Sequence, residues 1–103
     1  MNRFDVVLVN LDPTIGTGIK KTRPCVIISP NEVNKHLKTL IVAPLTSKGF
    51  LYPSRVKVKF NNLNGLVVLD QIRAVDKTRI VKVLGDIKEN EKEITEKLIE
   101  LFS

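Results

Sequence analysis

The sequence predicts a mainly β domain: a small, strongly curled antiparallel barrel that closes with one C-terminal helix. Three observations carry that prediction. Short β-branched runs recur from Val6 to Gly85, with turn residues between them. The apolar period changes from two to three-and-four only after Asn90. The chain has 103 residues, enough for one domain (1–103), and shows no repeat, linker or low-complexity tract.

Each element follows from its residues. Val6 to Leu11 is apolar on both faces until Asn10, as in a central strand. Asp12-Pro13-Thr14 ends it, because proline cannot continue a central ladder. Ile15 to Thr22 is a basic, glycine-containing loop, longer than a hairpin needs. Its Gly-Thr-Gly is too short for a phosphate-binding P-loop. Arg23 to Ser29 is a strand buried on both faces, and Pro24 fits its first positions. Asn31 to Leu37 predicts a short helix with Asn31 as N-cap and a solvated His36 near its end. Thr39 to Leu45 is a third strand, buried on both faces. Arg55 to Phe60 alternates strictly, giving a half-buried strand with a basic outer face. Asn61 to Gly65 is a hairpin connection in which Asn64-Gly65 favours a tight turn. Gly65 to Ile72 is one strand, Asp76 to Arg79 a turn capped by Asp76, and Ile80 to Gly85 a last strand. In the terminal helix Ile94, Leu98, Leu101 and Phe102 form one stripe, and Asn90 with Glu93 resembles a capping box.

Composition narrows the partners. The net charge is +6, which favours a polyanionic partner: nucleic acid, an anionic membrane or an acidic protein segment. Cys25 is the only cysteine, so an internal disulfide and a cysteine-built zinc site are excluded. Inside a strand it reads as a small buried hydrophobe. The N-terminus shows no charged-then-apolar leader, and no run reaches membrane-spanning length, so a cytoplasmic protein is expected.

The residues that can carry chemistry gather at strand ends. Arg23 sits at the mouth of a rigid strand, and a forked, permanently charged guanidinium held there suits a phosphate. Thr46, Ser47 and Lys48 end the third strand and offer two hydroxyls and a cation. Phe50 and Tyr52 can stack on bases, pack at a subunit contact or pack locally. Asp70, beside Gln71, can act as a base or fix an arginine.

Taken in order, Asp12-Pro13-Thr14, Gly16, Arg23-Pro24, Ser29-Pro30, Ala43-Pro44-Leu45-Thr46-Ser47, Gly65 and Leu69-Asp70-Gln71-Ile72-Arg73 resemble the MazF/PemK-like toxins of bacterial toxin–antitoxin pairs, which share the fold of Kid and CcdB. The resemblance runs over nearly the whole chain. It implies an SH3-like barrel, a homodimer and metal-independent, cofactor-free cleavage of single-stranded RNA at short motifs. It also implies inhibition by an antitoxin whose acidic C-terminal segment lies across the RNA site. Arg23 and Thr46 match the family's catalytic positions. Lys20, Lys21, Thr22, Ser47, Lys48, Asp70 and Gln71 are the expected RNA-binding residues. Gly18 departs from the family, most of whose members carry a glutamate there in a Gly-Ser-Glu pattern, and this predicts reduced activity. Val68 stands where some relatives use an arginine. The alternatives are a protein-directed toxin of the same fold, such as a gyrase poison, and a nucleic-acid-binding SH3-like module without chemistry.

Overall fold

The computed structural model describes residues 1–11 and 21–103. The turn expected at Asp12-Pro13-Thr14 and the loop from Ile15 to Lys20, with Gly16, Gly18 and Lys20, lie outside the described residues. Among the described residues are seven strands and two α-helices. They are β1 (Asp5–Asn10), β2 (Thr22–Ile27), α1 (Asn31–His36), β3 (Thr39–Thr46), β4 (Arg55–Phe60), β5 (Leu63–Val68), β6 (Arg73–Asp76), β7 (Ile80–Asp86) and α2 (Glu91–Phe102). Their pairings are antiparallel in the order β4-β5-β3-β2-β1-β7, with β6 also on β3. Two register shifts between β1 and β7 bend that end of the sheet.

The β-branched run of β2 feeds both faces of the sheet. Val26 and Ile28 enter a core with Phe4, Val6, Ala43, Val56, Val67, Leu69 and Ile94. Cys25 and Ile27 enter a second core with Val7, Val9, Leu40, Val42 and Val75. Cys25 is thus the small buried hydrophobe expected. Burial raises its thiol to about 11 against a partial lowering by Arg73 and Arg23, so it stays protonated and inert at neutral pH.

Several local expectations are corrected. Gly65 to Ile72 is not one strand. The chain leaves β5, turns through a single 3-10 turn at Leu69–Gln71, and returns as β6. Leu69 is fully buried at that corner, and its N–H donates to the Ser54 carbonyl at 3.1 Å. Both halves then pair with β3: β5 with Leu45 and Thr46, β6 with Thr39 to Val42. The tight hairpin turn uses Asn61 and Asn62, with φ of 50° and 63°, between paired Phe60 and Leu63. Two positive φ angles match the twist of the flanking strands, and asparagine tolerates them. Asn64 and Gly65 lie inside β5 instead. Neither Asn31 nor Asn90 caps a helix through its side chain. Asn31 is the first helical residue, and its Oδ1 accepts the Arg3 N–H at 2.7 Å. Asp76 does cap its turn, accepting from Thr78 N at 2.9 Å. In β3, Ile41 is exposed rather than buried. In α2 the stripe frays: Ile94 is buried and Leu98 partly so, but Leu101 and Phe102 face outward. His36 is exposed beside Glu32, as expected.

Candidate nucleic-acid interface

The two strands that carry the candidate site are locked from both sides. Along β2 and β3 the pairs are Cys25 with Pro44, Val26 with Ala43 and Ile27 with Val42. Extending that register outward by two residues brings Arg23 level with Thr46. Both side chains border one open groove of about 510 Å³, together with Ser47, Lys48, Asn61 and Asn64. Apolar Pro24, Leu45, Phe60, Leu63 and Leu84 line the same groove. A few polar groups over an apolar floor suit a ligand with flat apolar faces and charged links.

The polar rim is organised by a short turn. Thr46 Oγ1 accepts the Lys48 N–H and donates to the Lys48 carbonyl, both at 3.1 Å. The hydroxyl therefore fixes the backbone that presents Ser47 and Lys48. Arg23 and Lys48 are exposed, and among the described residues neither has an ion-pair partner. Such uncompensated cations beside each other favour an anionic ligand.

The remaining candidates lie elsewhere. Lys21 and Thr22 are exposed at the open end of the β1–β2 pair, where Leu11 N–H donates to the Lys21 carbonyl at 2.9 Å. Asp70 and Gln71 sit on the 3-10 corner and do not line the Arg23 groove. Asp70 is already engaged. Its Oδ1 accepts from Ser54 Oγ at 2.9 Å and from Arg55 Nε at 3.4 Å. Of the roles open to it, fixing an arginine is the one the contacts match. Arg55 in turn donates to the Phe50 carbonyl at 3.2 Å and lies over the Tyr52 ring at 4.7 Å. The loop after Lys48 is thereby tied back to the barrel, with Phe50 and Tyr52 still exposed. The sequence does not mark Asn61, Leu63 and Asn64 as site residues. Their only signal is a run of asparagines in a hairpin, which also reads as plain turn chemistry.

Partial desolvation pushes the Asp70 carboxyl upward. Hydrogen bonds from Ser54, its own backbone and Arg55, with the Arg55 charge, outweigh this and hold it below the usual carboxylate range. A lowered carboxylate stabilises the fold fully above its unfolded value of about 3.9. That contribution is lost as pH falls through the lower folded value. Because the pair is partly exposed, solvent screening limits it to ~1 kcal/mol or less. Urea titrations should therefore show Asp70→Asn slightly less stable than wild type at pH 7. The gap should close as pH falls through the lowered folded value, where wild-type Asp70 also becomes neutral.

Comparisons with known proteins decide the family. The family model for the PemK-like, MazF-like toxin of type II toxin–antitoxin systems matches residues 2–102. The chain belongs to that family. It is 33% identical over 90 residues to Endoribonuclease MazF of Staphylococcus saprophyticus, covering 82% of this chain and 75% of the relative. It is 35% identical over 81 residues to Endoribonuclease PemK of Escherichia coli, covering 74% of this chain but only 61% of that relative's length. Among solved structures, MazF of Deinococcus radiodurans superposes with a TM-score of 0.78 at 25% identity, covering 99% of this chain and 96% of the other. The toxin chain of a MazE–MazF structure from the same organism reaches a TM-score of 0.81 at 24% identity, covering 99% and 95%, which establishes the shared fold. The MazF-like barrel with its C-terminal helix is thus the fold expected from sequence. Among the described residues no helix of this MazF-like chain is long and apolar enough to cross a membrane. Nor do three or more of their His, Cys, Asp and Glu side chains converge as a ligand set.

Proposed function

We propose that this MazF-like endoribonuclease toxin cuts single-stranded RNA by attack of a ribose 2′-hydroxyl on the adjacent phosphorus. The 2′-oxygen–phosphorus bond forms and the phosphorus–5′-oxygen bond breaks. The 2′-hydroxyl loses its proton to a base, and the leaving 5′-oxygen gains one. The products are a 2′,3′-cyclic phosphate and a 5′-hydroxyl. Arg23 stabilises the charge that builds on the non-bridging oxygens of the phosphorane. Its guanidinium suits that role better than proton transfer, because it stays charged. The Thr46–Lys48 turn orients the scissile phosphate.

One observation carries this reading: an exposed arginine, unpaired among the described residues, shares a groove with a hydroxyl turn and a lysine, between rigid strands. The basic surplus of the chain supports an RNA partner and an acidic antitoxin segment over the same groove. The reading includes a homodimer. It predicts no proton acceptor from His36, which stands exposed on α1 beside Glu32, nor from Asp70, which Arg55 and Ser54 occupy.

The test is a long single-stranded RNA incubated with the chain in EDTA, followed by chemical mapping of the ends. Fragments ending in 2′,3′-cyclic phosphate and 5′-hydroxyl are expected. Fragments with 3′-hydroxyl ends would overturn the mechanism. An uncut RNA with folded protein would overturn the activity.

A further inference from the structure

Resting on that reading, we infer that the RNA-binding surface continues across the sheet from Arg23 to a second phosphate subsite at Lys57 and Lys59 on β4. The strand register is the first support. Thr46 pairs with Leu66, and Leu66 pairs with Lys57. With Arg23 level with Thr46, four residues form one cross-strand row, Arg23–Thr46–Leu66–Lys57. Directly paired residues of antiparallel strands point to the same face. The alternation agrees: Val56 and Val58 enter the core on the other face, while Lys57 and Lys59 are exposed. Three strand spacings separate the ends of the row, about 14 Å, which a short run of nucleotides spans.

The surface relief is the second support. The groove that holds Arg23 adjoins another of about 380 Å³ through shared Ser47, Asn64 and Gly65, and this second groove reaches Leu66 and Lys57. Gly65 is the floor where they meet. A Cβ there would lie 3.1 Å from Leu45 Cδ1 and 3.4 Å from the Thr46 carbonyl, so only a glycine leaves the passage this low without a shift. Lys59 pairs with Asn64 beside the passage. Charge is the third support. Among the described residues, the side chains of Lys57 and Lys59 have no ion-pair or hydrogen-bond partner. Glu93 borders a further groove with Lys57, where Arg55 is already paired with Asp70 and Lys97 with Glu100, so the net positive charge of the row comes from Arg23, Lys48 and Lys59.

A polyanion laid along this row would place one phosphate at Arg23 and a later one at Lys57. Tyr52, half exposed with Arg55 over its ring, borders a groove together with Lys57. The subsite adds grip and length preference, not chemistry.

The experiment compares wild type, Lys57→Glu, Lys57→Glu/Lys59→Glu and a control, Lys35→Glu, on α1. Two measurements are made: anisotropy binding of a labelled single-stranded RNA over a salt series, and steady-state cleavage. The expected result is a tenfold or greater rise in KM for Lys57→Glu with kcat little changed. Its log–log salt slope should fall by about one for each phosphate that the variant no longer neutralises. A short oligonucleotide that reaches only Arg23 should be cut equally by all forms. The control should match wild type throughout. Unchanged affinity and slope in the double variant would overturn the subsite while leaving the nuclease reading intact. Wild-type protein that binds RNA without cutting it, with binding abolished in Lys57→Glu, would support the subsite and overturn the nuclease. Wild-type protein that neither binds nor cuts would overturn both. A poly-glutamate peptide that binds Lys57→Glu more weakly while RNA affinity holds would assign the row to an acidic protein partner and overturn the proposal.

Discussion

Arg23→Ala is expected to lower kcat for RNA cleavage by about 10²–10³, the usual cost of removing one preorganised transition-state donor. The reason is positional. Pro24 and the doubly buried Cys25 to Ile28 hold the Arg23 backbone, so the guanidinium reaches the groove from a fixed base. Arg23→Lys keeps the charge but removes the planar fork that fits two phosphate oxygens. It should restore only part of the rate, roughly tenfold below wild type if the fork carries one charge-assisted bond. Thermal unfolding should shift little in either variant, because Arg23 is exposed and unpaired among the described residues and surface changes usually stay within about 0.5 kcal/mol. The check is single-turnover cleavage beside a melting curve. A wild-type rate in Arg23→Ala would remove the arginine from the mechanism.

The largest expected loss of stability lies elsewhere, at Ile94. It is the one fully buried residue of α2, set in the core that Phe4, Val26, Val56 and Leu69 share. Ile94→Ala removes buried carbons and leaves a cavity that rigid strands cannot collapse. The cost should be about 2–4 kcal/mol, a large part of the ~5–15 kcal/mol typical of a domain. At roughly 4–8 °C per kcal/mol for a chain of this size, the melting point should drop by about 8–30 °C. Ile99→Ala is the contrast. That side chain is 63% exposed, and its removal should change stability by no more than about 0.5 kcal/mol. Equal losses in the two variants would mean that α2 docks through another face.

Burial of this kind is what the sequence makes most legible. Strict alternation marks Val56 and Val58 as inward and Lys57 and Lys59 as outward, and the β-branched run after Pro24 marks a strand with two buried sides. Period and branching report burial directly, so those elements stand as read. The strand expected over Gly65 to Ile72 fails because its apolar residues keep no record of a corner. Tertiary contacts hold one there: the Ser54–Asp70 and Leu69–Ser54 hydrogen bonds, the buried Leu69 and the pairing of β6 with β3. The hairpin turn moves to Asn61-Asn62 because pairing of Phe60 with Leu63 decides the register, and asparagine accepts positive φ without glycine's help. Phe102 falls on the apolar stripe, yet it is 70% exposed. A buried polar pair is also invisible to pattern. Ser29 Oγ donates to Asn34 Oδ1 at 2.5 Å, and Asn34 Nδ2 returns a bond to the Ser29 carbonyl at 2.9 Å. Its partners are five residues apart across a loop, and no periodic pattern encodes that. At the site, Arg23 and Thr46 border one groove because one register joins their strands, whereas Asp70 reads as a ligand residue and is occupied by Arg55.

The sheet ends on β4 and β7, each hydrogen-bonded to one neighbour among the described residues. The two edges approach each other where Phe60 of β4 lies against Gly85 of β7, and away from that contact β7 shows Val81 and Val83 to solvent. Lys57 and Lys59 on one rim and Lys82 on the other act as gatekeepers against self-stacking. Replacing them with apolar residues would trade solubility for fibre-like growth, whereas glutamate keeps each rim charged.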